Sequence, residues 1–165
     1  MKDVIERLVD ALRAELESYG SLLAVLDRQQ ELVFARQSEE LYGTIVEVPQ
    51  LSAMLHESRT HRDACRRAVC AELELPMETP FGILVPTLPA DLQPLMEALV
   101  EENNALLVRL QQRARQNHLL LSRSVDLMQE LIGSLIPRQE GSTYTGVGRG
   151  CGVGLPPSSV VNAVC

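Results

Sequence analysis

The feature that most constrains the fold is a run of apolar residues spaced three and four apart between Asp91 and Ile136. This spacing places the apolar side chains on one face of an α-helix, and Pro137 ends the pattern. A helix of about 46 residues would be roughly 69 Å long, far beyond the average of globular proteins. Such a helix needs packing partners along its length, so the pattern predicts an all-α fold with coiled-coil character.

Two further amphipathic segments precede this helix. The first is predicted over residues 3–35 and the second over residues 38–74, with Ser38 as the N-cap of the second. Ile45 is expected to face inward with the other apolar residues of the second helix. Pro49 removes a backbone donor and clashes with the preceding turn, so we expect a kink nearby or two shorter helices.

Residues 75–89 contain four prolines and are predicted to be a connecting loop before the third helix at residues 90–136. The three long helices are expected to form an antiparallel bundle that occupies residues 1–140. Residues 141–165 contain six glycines, two prolines and a single charge at Arg149, which predicts a flexible tail.

Charge and composition exclude several classes of protein. The net charge of -7, from 22 acidic and 15 basic residues, disfavours a nucleic-acid-binding surface. Fourteen of the basic residues are arginine, and the one lysine is Lys2. The first residues carry acids every few positions without a continuous apolar stretch, which argues against a signal peptide or membrane insertion and favours the cytoplasm.

Side chains that could support chemistry are scattered. No Glu-x-x-His pair occurs, and the histidines at 56 and 61 would be about 140° apart around a helix, a poor arrangement for a shared metal. We therefore expect surface histidines, no cofactor, no metal, no catalytic residue and no enzymatic activity. The four cysteines lack CxxC spacing and are interpreted as reduced thiols, at Cys65, Cys70, Cys151 and Cys165.

Three amides interrupt the apolar seam of the third helix, at Asn103, Asn104 and Asn117. An amide that faces inward costs stability but fixes the register between helices, or it marks a groove for a partner. Register or simple surface placement is the interpretation we favour for each.

A long last helix carries an Asn followed by a leucine cluster at residues 116–121 (QNHLLL), and a Tyr with small residues follows at 143–148 (TYTGVG). This order is similar to that of the FlgN family of flagellar export chaperones. The runs at 15–23 and 51–62 are similar to the family's first and second helices, so the resemblance extends from residue 1 to about 148. Pro49 and the tail beyond Gly148 depart from the family pattern.

The resemblance implies a cytosolic type III export chaperone that binds the C-terminal helical segments of the hook-filament junction proteins. It also implies docking to the export gate at the membrane, with Tyr144 as the contact. An amphipathic client helix would be received by an apolar groove. The candidate client-binding residues are Leu121, Val125, Met128, Leu131, Ile132 and Leu135. For these residues the alternative is the core of the bundle, and for the protein it is a self-associating structural coiled coil without an export role.

Overall fold

A computed structural model of the chain describes residues 2–135. Its four α-helices are α1 (Lys2–Ala35), α2 (Ser38–Glu72), α3 (Phe81–Leu84) and α4 (Gln93–Leu135), and a 3-10 turn at Val85–Thr87 lies between α3 and α4. The prediction of an all-α fold is confirmed, and the described residues contain no strand. The predicted tail, with Tyr144, Cys151 and Cys165, lies outside the described residues.

A two-residue turn joins α1 to α2. Arg36 adopts a left-handed conformation with φ of 58°, its amide donates to the Val33 carbonyl, and the Gln37 amide donates to the Leu32 carbonyl. This is the Schellman arrangement, which satisfies the last carbonyls of α1. The prediction of Ser38 as N-cap is wrong by one residue, because the compact turn makes Gln37 the N-cap, without a side-chain capping bond.

Polar contacts along the hairpin show that α2 runs antiparallel to α1. The hydroxyls of Ser18 and Ser58 lie 2.9 Å apart, and Gln29 Nε2 donates to Thr44 Oγ1 over 3.4 Å. The residue number of the partner on α2 therefore falls as the residue number on α1 rises, which is the pattern of antiparallel helices.

A buried carboxylate adds a specific contact to this hairpin. Glu15 is fully buried, and its oxygens accept a hydrogen bond from the Tyr19 hydroxyl (3.0 Å) and lie near the guanidinium groups of Arg59 (3.8 Å) and Arg62 (3.3 Å). Burial, with the Glu15 carboxylate as a second cause, raises the pKa of Tyr19 to about 12. Because an unpaired buried charge is costly, these contacts favour one alignment of α1 with α2.

Hydrogen bonds also show that α4 runs parallel to α1. Asn103 Nδ2 donates to the Leu12 carbonyl (3.1 Å), and Asn117 Nδ2 donates to the Leu26 carbonyl (2.6 Å). Both pairs are separated by 91 residues, so one register holds along the interface. The two asparagines are buried, as a role in register requires, whereas Asn104 is on the surface.

Helix α2 continues through Pro49 as one element, which excludes two shorter helices, one of the two alternatives expected there. Ile45, which we expected to face inward, is 47% exposed. Thr44 takes the buried position beside α1 instead, and its hydroxyl donates to the Leu41 carbonyl at 2.7 Å, which satisfies its polar group.

The segment predicted as a loop contains α3 and the 3-10 turn, so that prediction is wrong over residues 81–87. Pro80 is the N-cap of α3, and Pro86 lies in the first positions of the 3-10 turn. Proline is well tolerated at the start of a helical turn, since the amide there needs no intrahelical partner. Arg66 of α2 holds the segment in place by donating to the Thr79 carbonyl (2.6 Å).

Two apolar clusters form the core, and α1 contributes to both. The first joins the start of α1 to the end of α2, to α3 and to the start of α4, with Leu8, Val69, Leu84 and Met96 fully or almost fully buried. The second joins the middle of the three long helices around Tyr19, Leu55 and Leu110. Both clusters lie well before the C-terminal end of α4.

Candidate partner-binding surface

The last residues of α4 extend beyond the helix that it packs against. Applying the offset of 91 residues to Ala35, the last residue of α1, reaches position 126, whereas α4 continues to Leu135. Leu121 is half-buried, and every side chain described from 122 to 134 is exposed. We call residues 122–135 the overhang; at 1.5 Å per residue it is roughly 20 Å long.

Apolar side chains follow one face of this part of the helix. Leu121, Val125, Met128 and Ile132 are separated by steps of four, three and four, which aligns them on one face, and we call these four residues the apolar stripe. Val125 is 53% exposed, Met128 67% and Ile132 56%. Leu131, 61% exposed, widens this face on one side, and Leu127, 60% exposed, lies four residues before it, between this face and the charged face.

The opposite face of the overhang is polar. It carries the exposed charges of Arg123, Asp126 and Glu130, again at steps of three and four. Ser124 and Ser134 donate to carbonyls of their own helix, those of Leu120 (2.9 Å) and Leu131 (2.8 Å). Because these hydroxyls are already satisfied, they require no polar group from a partner. The overhang is therefore a sharply amphipathic helix whose apolar face lacks a cover among the described residues.

This apolar face continues the face of α4 that packs in the bundle. Met96, Asn103, Leu110 and Asn117 are buried and recur every seven residues. The stripe keeps the same side of the helix for two more heptads. The difference lies in the surroundings, since α1 ends before the overhang does. The face of α4 that packs against α1 along most of its length therefore has no neighbouring helix at its C-terminal end among the described residues.

Other features of residues 2–135 are weaker candidates for a functional site. Their cavities are shallow grooves, one of them lined by Phe81, Val85, Val100 and the carboxylates of Glu97 and Glu101. No group of three His, Cys, Asp or Glu in this part of the chain is placed to hold a metal ion. Within the same range, no helix has the length and hydropathy needed to cross a bilayer.

A family model described as FlgN protein matches residues 1–149. The chain belongs to the FlgN family. FlgN-family proteins act as chaperones in flagellar type III export, bind flagellar export substrates and are not enzymes. This protein therefore has the role of a flagellar export chaperone. Comparison of this FlgN-family chain with curated proteins and with solved structures gave no match.

The candidate client-binding residues of this FlgN-family protein occupy one continuous part of α4. Leu121 marks the point where α4 leaves the bundle, the next four lie on the exposed face of the overhang, and Leu135 is the last residue of α4. Tyr144, the candidate export-gate contact, lies outside the described residues.

The histidines considered as metal ligands lie on the surface, and the two cysteines of α2 pack at the core. His56 and His61 are exposed, as expected, and His61 Nε2 lies 3.8 Å from Cys65 Sγ. Cys70 is buried in the first core cluster and Cys65 packs against it; both thiols are free, and burial raises the pKa of Cys65. These two cysteines therefore contribute to packing in the core and at its boundary.

Sequence reasoning missed one residue near the overhang. Phe34, close to the C-terminal end of α1, is 70% exposed. Its position, an aromatic residue one place before the predicted end of α1, is the one sequence feature that could have pointed to it. That feature alone does not show whether the side chain is buried or exposed.

Proposed function

We propose that this FlgN-family protein binds the C-terminal helical segments of hook-filament junction proteins through the overhang, keeps them unassembled and delivers them to the export gate. The observation that carries the proposal is the apolar stripe with its neighbour Leu131, exposed at the end of α4 in a chain of an export-chaperone family. The residues proposed to contact the client are Leu121, Val125, Met128, Leu131, Ile132 and Leu135.

The physical basis is the burial of an amphipathic face. A client helix with apolar residues at matching steps would cover the stripe and leave the charged face of the overhang in water. Each large aliphatic side chain that becomes fully buried contributes about 1.5–3 kcal/mol, which is offset in part by the entropy lost on association. Covering the client's own apolar face in this way would also keep it from associating prematurely.

Delivery forms the second half of the proposal. We expect the protein to act in the cytoplasm and to meet the cytoplasmic domain of the export gate through Tyr144, as the family resemblance implies. Replacing Tyr144 by Ala should reduce secretion of the junction proteins without weakening client binding, because the two contacts use different parts of the chain. Secretion assays and calorimetry on the same variant test this. A loss of client binding would contradict the assignment of the client contact and the export-gate contact to different parts of the chain.

Client binding is tested with two matched pairs of variants. Val125→Glu and Leu131→Glu place a charge on the apolar face of the overhang, whereas Val108→Glu and Leu119→Glu make the same changes at positions that are both 51% exposed. Val108 and Leu119 lie on the opposite side of α4 from the stripe. Calorimetry with the C-terminal segment of a junction protein should give at least tenfold weaker binding for the first pair and wild-type binding for the second.

The same experiment separates export from self-association. The structural coiled coil would replace the chaperone proposal if the wild-type protein formed a stable oligomer that binds no client segment. In that case the Val125→Glu change should dissociate the oligomer. Light scattering with and without client segment provides that measurement.

A further inference from the structure

Phe34 lies on the side of α1 that faces α4. Asp27 and Gln30 both contact Arg113 of α4, which identifies this side of α1. Phe34 follows Gln30 by four residues and Asp27 by seven, and this spacing places it on the same face. Asp27 and Gln30 are partly buried in this contact, whereas Phe34 remains 70% exposed.

The parallel register sets the level of Phe34 along α4. The offset of 91 residues that joins Leu12 to Asn103 and Leu26 to Asn117 places Phe34 level with Val125. Val125 is itself 53% exposed, so the two side chains do not cover each other. The end of α1 and the start of the overhang therefore form an open corner with apolar residues on both sides.

We propose that Phe34 and the apolar stripe are two walls of one groove, which receives an amphipathic α-helix of the export client. The inference rests on the proposed function and adds to it a second binding element, supplied by α1, and a defined shape for the client segment. Phe34 is the aromatic residue that an apolar client side chain contacts at the inner end of the groove.

The occupant follows from the continuity of the groove with an interface that the fold already uses. The stripe extends the face of α4 that packs against α1, and what packs there is a helix. A client helix would lie nearly in line with α1, with the end of α1 as a steric limit. Beyond position 126, which lies level with the last residue of α1, α4 offers roughly 14 Å up to Leu135, which matches a client helix of about two and a half turns.

The position of Phe34 favours a large contribution to binding. Aromatic side chains bury a large area at a low cost in conformational entropy, and they dominate binding when they lie at the enclosed part of an interface. A bound client helix would enclose this corner, because α1 limits the groove at that end. Removing the ring should therefore weaken client binding about 10- to 100-fold.

The test measures binding of a synthetic C-terminal segment of a hook-filament junction protein to the full chain by calorimetry. Phe34→Ala is compared with Tyr42→Ala, since the two aromatic residues are 70% and 69% exposed. Tyr42 precedes the buried Thr44 by two residues, which turns it to the far side of α2 from α1. We expect a 10- to 100-fold loss for Phe34→Ala and wild-type affinity for Tyr42→Ala, with unchanged melting temperatures for both.

The outcomes separate this inference from the proposed function. If Leu131→Glu abolishes binding while Phe34→Ala binds as wild type, the overhang alone is the site and the inference fails. If the wild-type chain binds no segment, the proposed function itself fails. Equal losses for Phe34→Ala and Tyr42→Ala would also overturn the inference, because they would reflect a general effect at the hairpin end.

Two further measurements identify the occupant. Phe34→Leu should restore most of the affinity lost in Phe34→Ala, since it returns apolar volume to the corner. Client segments shortened below about two turns should bind more weakly than three-turn segments. If Phe34→Ala instead dissociates a dimer in sedimentation runs and leaves segment binding intact, the groove holds a second copy of the chain and the client assignment is wrong.

Discussion

The packed part of α4, residues 93–121, and the overhang have the same apolar periodicity but different surroundings. In the packed part, α1 lies along the apolar face, and the buried amides of Asn103 and Asn117 set the register. In the overhang the same face is exposed to water. Apolar spacing therefore defines which side of a helix needs a partner, whereas the lengths and register of neighbouring helices decide whether the chain supplies that partner itself.

The sharpest test of this comparison removes the same side chain from each part. Leu110→Ala leaves a cavity in the second core cluster and should lower the free energy of unfolding by about 2–5 kcal/mol. Leu127 is 60% exposed, so Leu127→Ala should change it by less than about 0.5 kcal/mol. Urea titrations followed by circular dichroism measure both, and similar losses at the two positions would mean that the overhang is packed in solution.

A smaller effect is expected from the amides that set the register. Asn117 Nδ2 donates to the Leu26 carbonyl and to Gln29 Oε1 (3.1 Å), and Gln29 in turn reaches Thr44 of α2. Asn117→Ala should therefore destabilise the protein by about 1–3 kcal/mol, because Gln29 loses a buried donor.

Thermal unfolding followed by circular dichroism measures this loss, and the exposed Asn104 provides the control, since Asn104→Ala should be nearly neutral in that measurement. A neutral Asn117→Ala would argue against the network that joins the three long helices.

The smallest effect concerns two glycines. A Cβ at Gly20 of α1 or at Gly133 of the overhang would meet nothing within 4 Å, so either Gly→Ala change should stabilise its helix by about 0.5–1 kcal/mol. In α1 the gain should appear in global stability. In the overhang it should appear only as slower amide hydrogen exchange of residues 122–135, because few tertiary contacts couple that segment to the bundle. A global gain from Gly133→Ala would contradict the comparison.

Much of the fold could be predicted because long helices leave a clear periodic signal. The three long helices lie within about three residues of their predicted bounds. The local signals for helix caps and turns were less reliable predictors of structure. Ser38 gave the expected N-cap signal, but the left-handed Arg36 moved the cap to Gln37, and the prolines that suggested a loop instead start short helical turns. In both places the backbone hydrogen bonds of a compact connection outweighed the sequence preference.

The candidate site was predictable only in part, for a tertiary reason. Its residues on α4 could be chosen from their spacing, but their exposure depends on where α1 ends relative to α4, which two asparagines set through backbone carbonyls 91 residues away. Phe34 follows Val33, the next position of the core series of α1, by one residue, so the periodicity alone does not mark it as part of a site. The division of the chain into a domain of residues 1–140 and a tail stays a prediction.

The parallel arrangement of α1 and α4 has a practical consequence for experiments on single molecules and on sensor surfaces. Lys2, the one lysine of the sequence, is well exposed at the start of α1, roughly 50 Å of helix away from the turn beside the overhang. A reagent that couples to the lysine amine would attach the protein at the end opposite the proposed groove. Molecules immobilised through that side chain would then point their overhangs into solution, where a client segment meets them without obstruction.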